Sequence, residues 1–301
     1  MNNPIQFVRR LPAQDALILI KERGFRDSLE ILELLSPDQV QHIFDLDVWD
    51  DDHIQSDSVD NWLEAFLESN PQKAVQIFHE LDPEFLAYLI KFNTKVYELD
   101  DGQEPDGLTE ERVRTPDNQY VVTFTKSIWR QFFEQFMARD LEFALQIIQS
   151  VRFETESGLE EEALRWRDGR MQDLGFAPFS ESKAILSYIH PDAPLPTLPQ
   201  TEDLDEDPPH SALLSFIKSK SLFEQTLKTL PEKSQKRILR ELISTCNQVH
   251  IAMKRDPGEI QALKETVTYV ILMVEKALEY RSPEHLDKVA LAKLFQVGRA
   301  L

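Results

Sequence analysis

Apolar positions recur at helical spacing in two look-alike stretches of the chain. Ser28 to Asp47, SLEILELLSPDQVQHIFDLD, returns 46 residues later as Ala74 to Asn93, AVQIFHELDPEFLAYLIKFN. In each copy an apolar helix ends at Leu35 or Leu81, and a polar residue, a proline and an acid follow at once: Ser36-Pro37-Asp38 and Asp82-Pro83-Glu84. A Ser or Asp side chain accepts from a free backbone N–H at a helix start. Pro at the first helical position has no N–H to leave unpaired, and the acid meets the positive end of the helix dipole. The repeating unit is therefore helix, tight corner, helix. Ser36 and Gln39 stand at capping-box spacing before the stripe Val40, Ile43 and Phe44. Val59, Trp62, Leu63, Phe66 and Leu67 follow at i, i+3, i+4, i+7 and i+8, and Asn70-Pro71 opens the second copy. Ala144 to Val151, ALQIIQSV, resembles Ala74 to Leu81 and predicts a degenerate third copy.

The rest of the pattern fills in around these units. A first helix is predicted from Pro12 to Arg23, ended by Gly24. Between 94 and 125 the helical period disappears, and two β-prone runs, Lys95 to Leu99 and Tyr120 to Thr125, predict a small hairpin with a long connection. The stripe Ile128, Trp129, Phe132, Phe133, Phe136 and Met137 restores the helix. Ser157 and Glu160 predict a capping box for the next one, which stops at Gly175, and a short helix over 181–189 closes the first half. Residues 190–210 hold six of the 17 prolines and a run of acids, the composition of a stiff solvated linker. Beyond it, Ile238 to Met253 and Ile260 to Leu278 carry continuous apolar faces. The expected fold is all-α: a superhelical array of helix pairs over 1–189 with a hairpin inserted at 94–125, a linker at 190–210, and a C-terminal helical bundle over 211–301. The last helix reads as unfinished, which predicts a longer parent chain.

Composition narrows the chemistry. A net charge of −20 repels phosphate backbones, so nucleic acid is excluded as a partner. Only 8 glycines in 301 residues argue for helices and against phosphate-cradling loops. The single Cys246 suits a reducing compartment, and its apolar helix face predicts a buried thiol paired with His250. The longest uncharged apolar stretch, Thr266 to Val274, is about half of the ~20 residues a membrane span needs. A cytoplasmic protein without membrane insertion is expected.

Two clusters carry the candidate chemistry. Asp45, Asp47, Asp50, Asp51 and Asp52 form the densest acid group, but Trp49 stands where a calcium loop needs its third ligand. They read as a solvated corner between helices or as a weak Mg²⁺ or Ca²⁺ contact; no other cofactor is expected. The stretch EEEALRWRDGRMQDLGF, Glu160 to Phe176, places Glu161 and Arg165 at ion-pair spacing and gathers Trp166, Arg167 and Arg170. It reads either as a salt-bridged solvent face or as a basic island for an acidic ligand or partner peptide. No residues pattern as a catalytic nucleophile with its base, so no catalytic residue is assigned.

The tandem L-[SD]-P-[DE] helix pairs over about residues 25 to 93 resemble the N-terminal superhelical domain of MgtE-type magnesium transporters and the armadillo-type repeats of the flagellar rotor protein FliG. LPAQDALILIKERG, LLSPDQVQHIFDLDVW, EEEALRWRDGRMQDLGF and LFQVGRAL are similar to a bacterial family of unknown function, mainly from deltaproteobacteria. That resemblance implies neither an activity nor catalytic residues. The expected function is a non-enzymatic interaction scaffold binding other proteins. The alternative is a Mg²⁺-responsive regulator, and the third is an enzyme of unrecognised type.

Overall fold

The computed structural model describes residues 4–99, 103–198 and 211–301. These residues are mostly helical, with two small antiparallel sheets. In chain order the elements are α1 (Pro4–Arg10), α2 (Ala13–Arg23), α3 (Leu29–Leu34), α4 (Pro37–Asp47), β1 (Trp49–Asp50), β2 (His53–Ile54), α5 (Ser56–Ser69), α6 (Pro71–His79), α7 (Pro83–Asn93), β3 (Thr94–Glu98), β4 (Arg112–Arg114) and β5 (Tyr120–Phe124). The helices α8 (Ser127–Arg139), α9 (Leu141–Phe153), α10 (Glu156–Asp173), α11 (Phe179–Ser182), α12 (Leu222–Thr229), α13 (Glu232–Ala252), α14 (Ile260–Tyr280), α15 (His285–Lys288) and α16 (Leu291–Ala300) follow. The chain forms two compact units: Met1–Arg10 with Arg23–Gly169, and Leu11–Glu22 with Arg170–Leu301.

In the first unit the helix starts follow the caps. Ser36 Oγ accepts from Gln39 N at 3.2 Å while Gln39 Oε1 accepts from Ser36 N at 3.0 Å, closing the box at the start of α4. Asn70 caps α6 and Asp82 caps α7, each ahead of a proline. Their apolar faces meet in an aromatic core of Phe44, Trp62, Phe66, Phe78, Phe85, Phe132 and Phe136, with Phe78 and Phe132 centred 4.9 Å apart. The expected hairpin at 94–125 gains a strand, giving the order β3-β5-β4 with Val122 opposite both Val96 and Val113. Every residue of β5 is buried, because the centre of a three-stranded sheet is covered on both sides.

Three local readings of the sequence change here. Between Asp47 and Ser56, where a corner of acids was expected, the chain makes a hairpin, β1 paired with β2, turning through Asp51 at φ 56°. Aspartate tolerates that left-handed conformation better than most side chains. The helix α10 is capped by Thr155, whose Oγ1 accepts from Gly158 N at 3.1 Å, and not by Ser157 with Glu160. Glu160 is engaged elsewhere. The short helix expected over 181–189 is instead α11 followed by a 3₁₀ turn, Lys183–Leu186.

The second unit is built on α13, α14 and α16. Val249, Val267, Val270, Val274, Leu294 and Phe295 lie in its core, joined by Ile18 of α2. Asp15 on α2 accepts from Ala212 N at 2.7 Å, and Lys264 meets Glu22 at 2.7 Å. Gly298 lets α16 press against α14: a Cβ there would stand 1.7 Å from the Met273 carbonyl oxygen. The division between units falls inside α10, between Gly169 and Arg170. Thr197 bridges Val289, and Tyr280 donates to Asp192 at 2.7 Å, so the first part of the proline-rich segment packs within this unit. Residues 199–210 of the expected linker lie outside the described residues.

The expected Cys246–His250 pair is not made. His250 bonds Thr266 Oγ1 and the Asp256 carbonyl oxygen, both at 2.9 Å, because both its ring nitrogens are satisfied at the corner between α13 and α14. Burial pushes the Cys246 thiol well above its ordinary range. Such a thiol is inert.

Candidate functional site

The two candidate clusters meet in the first unit, where α10 clasps the β1–β2 hairpin. Arg167 faces inward and is only 8% exposed. Its Nε donates to Asp45 O and its Nη1 to Asp51 O, both at 2.9 Å. The first of these carbonyls belongs to the last turn of α4, which has no intrahelical partner for it and carries the negative end of the dipole. The guanidinium also lies 5.0 Å from the centre of the Trp49 ring, which stacks on Phe85. One side chain thus ties a helix end, a turn and an aromatic strand residue together.

A second tie runs along the same hairpin. Glu160 Oε1 accepts from Tyr88 Oη at 2.7 Å and lies 2.9 Å from His53 Nδ1, while the other His53 nitrogen is 3.3 Å from Asp52. An imidazole set between two carboxylates is favoured as the cation. Accordingly the His53 pKa is raised, first by the hydrogen bond to Glu160 and then by the charges of Asp52 and Glu160. Burial, and then the bond to Glu160, raises the Tyr88 phenol. On the edge of this group Glu84 is held above the ordinary carboxylate range by its hydrogen bond with Asp82, then by burial, with repulsion from Asp82 and Glu162 adding to both.

The expected site residues are therefore split by depth. Asp45 and Asp47 are buried, and Asp47 Oδ2 accepts from Trp62 Nε1 at 2.7 Å. Asp50, Asp51 and Asp52 stand on the exposed turn. Among the described residues no three His, Cys, Asp or Glu side chains are grouped to hold a metal ion. Of the expected basic island, Arg167 is inside and engaged with carbonyls, which removes it from any exposed patch. Arg170 is half-buried in the second unit and has interactions of its own. Arg165 is exposed, but it pairs with Glu162 at 3.6 Å instead of the expected Glu161. It also lies 5.8 Å from the Trp166 ring centre. Trp166 is 49% exposed, and Glu161 faces solvent.

Sequence reasoning missed His53, Tyr88 and Glu160 as a set. They lie 35 and 72 residues apart along the chain, and no local spacing announces such a group. Only the sequence Trp49-Asp50-Asp51-Asp52-His53-Ile54, apolar ends around a polar turn, carried a hairpin signal.

Comparison with known proteins adds the family. A model described as "Family of unknown function (DUF6178)" matches residues 1–301. No curated protein and no solved structure matches the chain.

Proposed function

We propose, from the premise that the chain belongs to this family of unknown function, that it is a non-enzymatic scaffold whose α10 outer face contacts another protein. The observation that carries this reading is Trp166. A half-exposed indole on a helix costs apolar hydration, and here the helix is fixed from its inner side by Arg167 and Glu160. Rigidly presented Trp and Arg are the side chains that dominate binding energy at protein interfaces. Stacked helix pairs of the L-[SD]-P-[DE] type, read as a superhelical array, would offer such faces in series. The polar groups found together, His53, Glu160 and Tyr88, engage one another and Asp52, which suits a latch better than a catalytic centre.

Photo-crosslinking in the native cell tests the proposal. Benzoylphenylalanine placed at Gly169, where an added side chain meets nothing within 4 Å, is expected to capture a protein. The same group at exposed Glu64 is expected to capture none. No adduct at 169, or equal adducts at both positions, would end this reading.

A further inference from the structure

The folded chain reverses the sign of the surface that the sequence suggests. Three arginines in six residues look basic, yet Arg167 is turned inward onto carbonyl oxygens and Arg165 lies against Glu162. Apart from exposed Arg165, what remains outward is acidic. Asp50, Asp51 and Asp52 on the hairpin turn and Glu161 and Glu162 on α10 are all exposed, with Glu84 and Glu160 half-exposed between them. Arg167 fixes the turn to the helix through Asp51 O, so these charges are held in one patch.

Two further observations distinguish this patch from an ordinary solvated face. Trp166 shares one sector of α10 with Glu161, Glu162, Arg165 and Gly169, spanning about 140° at 3.6 residues per turn. Gly169 has ordinary helical backbone, and a Cβ there would meet nothing. A glycine inside a helix costs about 0.5–1 kcal/mol relative to alanine, and no packing of this unit requires it. Its missing side chain leaves a notch one turn from the indole.

Resting on the interaction reading above, we infer that the acidic face of the β1–β2 hairpin and α10, with the Gly169 notch on it and Trp166 at its edge, receives a cationic amphipathic segment of a partner protein. Lysine or arginine side chains of that segment answer the acids, and its apolar side chains cover the half-exposed indole. An apolar side chain fits the notch. The net charge of −20 draws such a segment in from a distance.

Trp166 is also the reporter, because Trp49, Trp62 and Trp129 are each no more than 1% exposed. The whole chain is titrated with an 18-residue Lys/Leu amphipathic peptide and, separately, with its Glu/Leu counterpart, while acrylamide quenching of tryptophan fluorescence is followed. The cationic peptide is expected to shield Trp166 and the anionic one to leave it open. Glu161→Lys with Glu162→Lys should weaken shielding by about tenfold. Glu33→Lys with Glu64→Lys, equal in charge but elsewhere on the first unit and exposed, should change it less than about twofold. Equal weakening by both pairs would reduce the effect to net charge and overturn the inference, as would shielding by the anionic peptide alone. If neither peptide shields Trp166 while the crosslink at 169 still forms, the cationic partner is refuted and the interaction surface stands. If the crosslink is missing too, the surface itself is refuted. Circular dichroism of each variant confirms its helix content.

Discussion

Arg167 in the first unit and His250 in the second are both basic side chains withdrawn from water, and the two units accommodate them in opposite ways. A guanidinium cannot shed its proton at any working pH, so the first unit supplies acceptors: two carbonyl oxygens and an indole face. An imidazole can shed its proton, and the second unit holds it neutral. Burial first, opposed by the bond to Asp256 O and reinforced by the Arg255 charge, lowers the His250 pKa from 6.5 to about 4. The first unit has thus committed a permanent charge to shaping a surface turn. The second keeps this ring uncharged within its helical core, and that core accordingly answers to shape and to pH.

Shape gives the largest expected effect. Gly298→Ala places a methyl group 1.7 Å from backbone at Met273, which no side-chain rotation relieves. The expected loss is about 3 kcal/mol or more, confined to the second unit and read by urea unfolding with hydrogen exchange of α13 to α16. Protection lost equally in α4 to α9 would contradict the division into units.

Next comes the buried cation. Arg167→Met leaves two carbonyls and an indole without their partner, at an expected cost of about 2–4 kcal/mol. Amide exchange should show the hairpin bond from Gln55 N to Val48 O opening before the aromatic core. Arg167→Lys keeps the charge but not the fork, and is expected to restore less than half.

The pH response sharpens the contrast. Because the folded state keeps His250 neutral down to about pH 4 while the unfolded chain protonates it near 6.5, its contribution is whole above 6.5 and declines as the pH falls toward 4. About 3 kcal/mol would be lost across that window. His250→Gln should flatten the slope of urea midpoint against pH between 4 and 6.5. A slope left unchanged would mean that other groups carry it.

His53 should behave in the reverse sense. Its pKa lies above 6.5, so its tie to Glu160 is complete below 6.5 and is lost as the pH rises through the folded value. The group is fully solvated, and the effect is local: an NMR titration of the His53 ring should shift toward 6.5 in Glu160→Gln, with little change in overall stability.

The smallest effect expected is that of magnesium. Since Asp47 is bonded to Trp62 and Asp45 is buried apart from the exposed turn, millimolar Mg²⁺ should leave the melting temperature within about 1 °C. A larger rise would revive the cation-responsive reading.

Much of the fold was legible because its signals are local. Ser36, Asn70 and Asp82 announce their helices through bonds to residues two or three places on, and Gly24 and Gly175 mark helix ends by positive φ. The candidate surface was half-legible. The segment around Trp166 stood out by composition, but the direction in which Arg167 faces depends on what lies 116 and 122 residues away, at Asp51 and Asp45.

By itself, then, the sequence determined where several helices begin and stop, that the chain is rich in them, and much of the apolar core. Those outcomes rest on hydrogen bonds within one turn and on apolar periodicity, both fixed by neighbours in the chain. Only the tertiary structure decided that α2 joins the second unit, that an acidic corner is a hairpin, and that an apparently basic helix shows an acidic face. Each of these depends on the depth at which a charge comes to lie, and depth is a property of the packed chain, because a carbonyl oxygen far along the sequence competes with water for the same guanidinium.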